Sequence, residues 1–290
     1  MSGGRAEAAP ERQGPAGRTE RGSLLLVCAT ALEMRAAVTL LPGGEKFAVP
    51  ERARFPFAGL RDDGDTLPVL GLAGCDLYLL ICGVGPVAAA LSLGACLGGF
   101  RRIARREAPD GVLNLGLAGS YDLRKAPVGS LLSVGEEHFP EYGIRAGTDA
   151  DCAGLSPLTL PQIFTDAGPV FTRIALDPDA ALTRMGPALG KKFLVRYTGG
   201  ALSCGRGAAV TMAGISGDPA FAACMAEHCG GLAENMEGFA LALACASARI
   251  PFAEFRAFSN AAGYRPPHTW NMSEALAALS RLGAELFCPA

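Results

Sequence analysis

The chain has 290 residues, half of them apolar and 19% charged, with a formal net charge of −2. That balance describes a globular protein with a well-filled core, long enough for one large domain or two modest ones. It argues against nucleic acid as a partner, because no Lys/Arg cluster stands out and acids slightly exceed bases.

Residues 1–22, "MSGGRAEAAPERQGPAGRTERG", are rich in Gly, Ala, Pro, Arg and Glu without periodicity and read as a disordered tail. The run "SLLLVCAT" then has the length and continuous apolar character of a buried strand, and "ALEMRAAVTLL" has helical spacing. Glu33 and Arg35 interrupt that apolar stretch, which argues against a signal peptide and against a membrane span. "DLYLLICGVG" is a second strand closed by glycines. "PVAAALSLGACLGGFRRIARR" follows as a helix with Pro86 in its first turn. "DGVLNLGLAGS" is a third strand running into a Gly-rich turn, and "VGSLLSVGEEHF" and "GAAVTMAGISGD" are further strands. "PAFAACMAEHC" is helical, "GLAENM" a strand, "EGFALALACASARI" a helix, "PFAEFRAFSN" a strand and "NMSEALAALSRLGAELF" a closing helix. Residues 43–66 and 141–168 read as peripheral loops.

Strands apolar on both faces and alternating with helices predict an α/β fold, a central mixed, twisted sheet covered by helices in three layers. One domain is expected over residues 23–290. The ten cysteines are scattered, lack a C-x-x-C pair and fall partly in apolar runs. They read as reduced core thiols of a cytoplasmic protein rather than as a disulfide framework or a zinc site. The three histidines are too dispersed for a metal cluster, so neither a metal nor an organic cofactor is expected.

In such sheets ligands bind beyond the carboxyl ends of the strands. Five features fall there: Glu33 after the first strand, "GLAGS" after the third, "SGD" at 216–218, "NMEG" at 235–238 and "SNAAG" at 259–263. Each also has a plainer reading. The glycines of "GVG" and "GLAG" can simply reverse the chain, and neither stretch is a Walker loop or a G-x-G-x-x-G turn. Glu33 can be a solvated carboxylate on the outer face of its helix. Glu237 can gain from the helix N-terminus it opens. Asn260 can close an Asx turn, and Arg256 can pair with a surface acid.

Taken in order, Glu33, "GVGPVAAA", "NLGLAG", "VGSLLSV", "SGD", "NMEG" and "FRAFSN" resemble the purine nucleoside phosphorylase/nucleosidase superfamily, and within it the methylthioadenosine nucleosidase-like branch. The resemblance runs from Leu24 to Phe287, and the pair "NMEGFALA…FRAFSN" is its most specific part. "SN" with "AAG" and then "TWNMSEALAAL" is most similar to the futalosine hydrolases of menaquinone biosynthesis.

This resemblance implies hydrolysis of a nucleoside's N-glycosidic bond by a homodimer with no cofactor, each pocket near the interface. Glu237 would accept the ribose 2′- and 3′-hydroxyls, with Asn235 beside it and Met236 under the sugar. Glu33 would hold and deprotonate the attacking water, with Arg256 orienting the acids. Ala118 and Gly119 would line the ribose side, Phe221 or a neighbour would pack on the purine, and Trp270 would stack on the 5′ substituent, with Arg265 or His268 near its carboxylate. Methylthioadenosine nucleosidases carry an aspartate where this chain has Asn260. An amide NH2 can donate to the N7 and O6 of a 6-oxopurine, so Asn260 implies hypoxanthine rather than adenine as the leaving base. Related nucleosidases acting on aminodeoxyfutalosine, methylthioadenosine or inosine, a phosphorylase and a non-catalytic nucleoside-binding protein are the alternatives.

Overall fold

A computed structural model describes residues 21–46, 67–145, 155–186, 189, 204–264 and 266–287. In chain order these form β1 (Gly22–Cys28), α1 (Ala31–Val38), β2 (Val69–Leu72), β3 (Cys75–Ile81), α2 (Pro86–Ala104), β4 (Gly111–Ser120) and β5 (Leu131–His138). The short strands β6 (Gly143–Arg145), β7 (Leu155–Pro157), β8 (Ile163–Thr165), β9 (Gly168–Val170) and β10 (Arg173–Ala175) follow, then α3 (Pro178–Met185) and β11 (Cys204–Thr211). The chain continues through α4 (Pro219–Cys229), β12 (Gly231–Asn235), α5 (Gly238–Ala248), β13 (Phe252–Ala261) and α6 (Met272–Phe287).

Nine strands make one mixed sheet in the order β10-β5-β11-β12-β4-β1-β3-β2, with β13 pairing both β4 and β5. Successive side chains of a strand point to opposite faces, and β1 shows the consequence. Leu24, Leu26 and Cys28 enter one core with Met34 and Val38 of α1, Leu182 of α3 and Leu279 and Leu286 of α6. Leu25 and Val27 enter the other with Leu93, Cys96 and Phe100 of α2 and Phe239, Leu241 and Cys245 of α5. These two cores are the apolar joints of the three expected layers.

Several expectations need correction. The boundary expected at residue 22 falls earlier, since Arg21 donates to Asp76 Oδ1 at 2.9 Å and Gly22 opens β1. The rest of the expected tail, residues 1–20, lies outside the described residues. The 141–168 stretch is not wholly loop, since β6 pairs with β7 and β8 with β9. β2, β10 and α3 are absent from the expected elements. A strand of three or four residues is too short to show a period. α3, by contrast, is legible, since Asp177, Pro178 and the spacing of Pro178, Ala181, Leu182 and Met185 mark it as a helix. Seven described cysteines are free, as expected, but Cys224 is disulfide-bonded.

α2 is long and apolar enough to cross a membrane by length and composition. Its buried stripe of Ala89, Leu93, Cys96 and Phe100 nevertheless belongs to the second core, while Val87 and Leu91 remain exposed.

Candidate active site

A cavity of about 650 Å³, its open mouth included, lies at the strand ends. It collects side chains from both halves of the chain, beginning with Glu33 in the first turn of α1. Thr30 caps that helix: its side chain accepts the Glu33 N–H, and its own N–H and hydroxyl donate to Glu33 Oε2 at 2.9 and 2.7 Å. The Leu117 N–H of β4 donates to Glu33 Oε1 at 2.9 Å. Glu33 is therefore a buried, fixed carboxylate and not a solvated one. The capping box, Thr30-x-x-Glu33, is legible in the sequence.

Glu237 stands at the N-cap of α5 but does not cap it. Asn235 does so instead, its Oδ1 accepting the N–H groups of Glu237 and Gly238 at 2.9 and 2.8 Å. This frees the Glu237 carboxylate, whose Oε1 accepts the Gly85 N–H at 3.0 Å. Gly85 has φ +95°, a conformation that glycine adopts without strain. Burial raises the pKa of Glu237 above the ordinary carboxylate value, against the opposing pull of Arg256.

Arg256 is one of the largest fully buried side chains and lies behind the cavity wall rather than in it. Its Nε donates to Glu254 Oε1 at 2.6 Å and its Nη2 to Asn235 Oδ1 at 3.3 Å, while Nη1 stands 3.6 Å from Glu237 Oε2. Gly116 makes this possible: a Cβ there would collide with Nη1 and come within 3.3 Å of Glu33 Oε1. One cation thus lies between the acids of α1 and α5.

Opposite Glu237, the β13 ladder slips between Phe258 and Asn260. The extra residue is Ser259, and this bulge lets consecutive residues Ser259 and Asn260 both face the cavity. Ser259 Oγ donates to Asn260 Oδ1 and Asn260 Nδ2 to Ala261 O, both at 2.8 Å. The Ala261 carbonyl fixes which end of the amide is nitrogen, and leaves one Nδ2 hydrogen for a ligand rather than two.

The cavity joins residues that a sequence model of the phosphorylase superfamily also spans, matching residues 24–287. The chain belongs to the phosphorylase superfamily. A protein of Thermus thermophilus named futalosine hydrolase is 33% identical over 236 residues, covering 80% of this chain and 90% of that protein. A futalosine hydrolase of Streptomyces coelicolor is 35% identical over 203 residues, covering 70% of this chain and 74% of that one. Among solved structures, a 5′-methylthioadenosine/S-adenosyl homocysteine nucleosidase of Campylobacter jejuni superposes with a TM-score of 0.62 at 17% identity. That match covers 91% of this chain and 96% of the other, and it speaks for the phosphorylase-superfamily fold.

Of the residues singled out from the sequence, Glu33, Ala118, Gly119, Asn235, Met236, Glu237, Asn260 and Trp270 line the cavity. Phe221 does not: it packs on the cluster of Val210, Met212, Met225 and Cys229, and Ile215 of the preceding loop takes the place at the wall. Asp218 fixes that register by capping α4, accepting the Ala220 and Phe221 N–H groups. His268 is exposed and away from the lining, and Arg265 lies outside the described residues. Trp270 Nε1 donates to Tyr264 O at 3.3 Å.

The structure adds a third acid, Glu234. It accepts from the Ser216 N–H at 3.0 Å, from the Ser216 hydroxyl, and from Tyr121 OH at 3.1 Å. Its place immediately before "NMEG", at the end of a strand, was the only sequence signal for it.

Proposed function

We propose that this chain hydrolyses the N-glycosidic bond of futalosine, releasing hypoxanthine and dehypoxanthine futalosine. The observation that carries this is the lining itself. Glu33, Glu234, Glu237 and the Asn260 amide face the cavity, with no Lys, Arg or His among its described lining residues. Such a wall suits the uncharged ribose and purine of a nucleoside, whose sugar becomes cationic, and it repels a phosphate dianion. The carboxylate on the 5′ substituent would lie beyond these acids, outside the described lining. Arg256, the nearby cation, has partners for Nε and both terminal nitrogens and is not free to bind phosphate. The names of the two curated relatives support futalosine as the substrate.

In this reading Glu237 accepts the ribose 2′- and 3′-hydroxyls over Met236. Glu33 has three donors on its two oxygens, which leaves an acceptor position on Oε1 for a water. The water oxygen bonds to the anomeric carbon as the bond from that carbon to the purine nitrogen breaks. Glu33 takes the water proton, while the purine leaves with the electron pair of the broken bond, hydrogen-bonded by the remaining Asn260 N–H, and takes its proton from solvent. Glu33 then releases the proton it accepted. Arg256 holds the two acids in place, and Trp270 covers the 5′ substituent. Asn260 in place of aspartate favours hypoxanthine over adenine. Menaquinone biosynthesis is the pathway that futalosine implies. Seven of the eight described cysteines are free, which supports a cytoplasmic setting even with the disulfide at Cys224.

One sheet draws strands from Gly22 to Ala261, which supports reading the folded part as a single domain. The exposed Val84, Val87 and Leu91 continue outward from the cavity wall along α2, and a second copy covering them would make the homodimer. Val87→Glu combined with Leu91→Glu should then give a monomer in light scattering.

The deciding experiment incubates the protein with futalosine, aminodeoxyfutalosine, inosine and methylthioadenosine, without phosphate, and follows the released base. Hypoxanthine from futalosine alone supports the proposal. Adenine release overturns the base assignment, and a rate that requires phosphate overturns hydrolysis. Silence on all four favours a binding protein.

A further inference from the structure

Behind the cavity wall lies a buried acid that the proposed chemistry does not use. Glu137 of β5 is fully buried, and its Oε1 accepts Asn235 Nδ2 at 2.7 Å. The orientation of that amide is forced. Asn235 Oδ1 faces three donors, the N–H groups of Glu237 and Gly238 and Arg256 Nη2, so its nitrogen must face Glu137.

Thr211 then poses a counting problem. Its Oγ1 lies 2.8 Å from Glu137 Oε2 and 3.1 Å from Asn235 Oδ1, and it accepts the Phe239 N–H at 2.8 Å. A threonine hydroxyl has one hydrogen. If Glu137 were ionised, that hydrogen would serve the carboxylate, the shorter contact, and the 3.1 Å Oγ1–Oδ1 pair would be two acceptors side by side. A proton on Glu137 Oε2 removes that opposition. Glu137 donates to Thr211, the Thr211 hydrogen turns toward Asn235 Oδ1, and Phe239 N–H still finds its acceptor.

We infer that Glu137 is a neutral carboxylic acid in the folded protein, a positioning residue that acts through Thr211 and Asn235 to set the start of α5 and hence the Glu237 carboxylate. The surrounding charges agree. Glu254 and Arg256 of β13 and Glu237 at the start of α5 are the charged neighbours, with the thiol of Cys229 on α4 and the phenol of Tyr121 farther out. Arg256 is the one cation among three carboxyl groups, and Glu254 and Glu237 already face it. Burial, and next the Glu254 carboxylate, push the Glu137 pKa well above its ordinary value. Gly238 is glycine for the same reason, since a Cβ there would collide with the carboxyl oxygens of both Glu137 and Glu254.

The positioning role rests on the proposed sugar contact of Glu237, whereas the protonation does not. Glutamine copies the protonated acid, an acceptor toward Asn235 and a donor toward Thr211. Glu137→Gln should therefore fold and keep kcat/KM within about threefold of the parent, while Glu137→Leu should fall at least about tenfold. The loss should be larger for a ribonucleoside than for its 2′-deoxy analogue, because only the former gives Glu237 both hydroxyls. A buried acid with a raised folded pKa lowers stability progressively as pH rises from its unfolded toward its folded pKa. The Tm of Glu137→Gln should accordingly gain on the parent as pH rises, and the difference infrared spectrum at neutral pH should show loss of a protonated carboxyl band. The inference is overturned if Glu137→Gln is as damaging as Glu137→Leu, if the Tm gap ignores pH, or if no such band disappears. The Tm and infrared readouts need no turnover, so a wrong substrate assignment and an ionised Glu137 give different results.

Discussion

The two ends of the cavity are held in opposite ways. At the end proposed to hold the sugar, the acids are pinned in part by residues far along the chain. Glu237 is held by the Gly85 N–H, 152 positions earlier, and Glu33 by Leu117, 84 positions later. Arg256 ties β13 to the carbonyl of Leu117 and to Asn235. At the end proposed to hold the base, Asn260 is held by its immediate neighbours Ser259 and Ala261. The first arrangement is part of the fold, and a change there propagates into packing. The second is local, so a substitution can alter which base is read while the scaffold stands.

Removing Arg256 tests the contrast most severely. Arg256→Leu leaves Glu254 and Glu237 buried without their cation, at a cost of about 3–5 kcal/mol. In a chain of this size that is on the order of 10 °C in Tm, measurable by calorimetry. A variant as stable as the parent would show that the network does not support the fold.

Glu33→Gln keeps the shape but replaces one carboxylate oxygen with a donor. Turnover should fall at least about a hundredfold while substrate still binds, in a single-turnover assay with titrated binding. Near-normal turnover would remove Glu33 as the base.

Asn260→Asp, at the locally held end, should leave Tm almost unchanged. Futalosine hydrolysis should fall by about a hundredfold, because a carboxylate faces the purine's acceptors, and the ratio of rates on aminodeoxyfutalosine and futalosine should rise. An unchanged ratio would move base reading elsewhere, with Glu234 the next residue to replace. The smallest effect belongs to Trp270→Ala, where loss of a stacking face worth about 0.5–1.5 kcal/mol should raise the KM for futalosine a few-fold and leave inosine alone. An equal rise for inosine would place Trp270 off the 5′ substituent.

Acidity offers a further check on the sugar end. Burial raises the Glu237 pKa, so the carboxylate takes its proton at a higher pH than an exposed glutamate. Substrate affinity should accordingly weaken as pH falls through that raised value, and the KM–pH profile should lose this limb in Glu237→Gln.

The apolar strands and helices were legible from the sequence because each carries its own pattern: continuous apolar runs for strands buried on both faces, and capping residues for helices. "NMEG" and "FRAFSN" could be read as site segments because polar residues at the ends of such strands have no core role. What a single segment cannot show is the company its polar groups keep. Five glutamates, Glu33, Glu137, Glu234, Glu237 and Glu254, are all buried; the motifs single out Glu33 and Glu237, and nothing in the sequence separates the other three. Glu33, Glu234 and Glu237 face the cavity, whereas Glu137 and Glu254 stand behind it with Arg256. Phe221 packs away from the cavity and Ile215 lines it for a related reason. The cap at Asp218 is legible, but which side of the resulting helix and loop faces the cavity is set by packing against Val210, Met212 and Met225. The sequence by itself determined the layers and the ends of the strands where a ligand can sit. The tertiary structure decided which acids are free to act, because a carboxylate's protonation and direction depend on N–H groups and one guanidinium brought from distant parts of the chain.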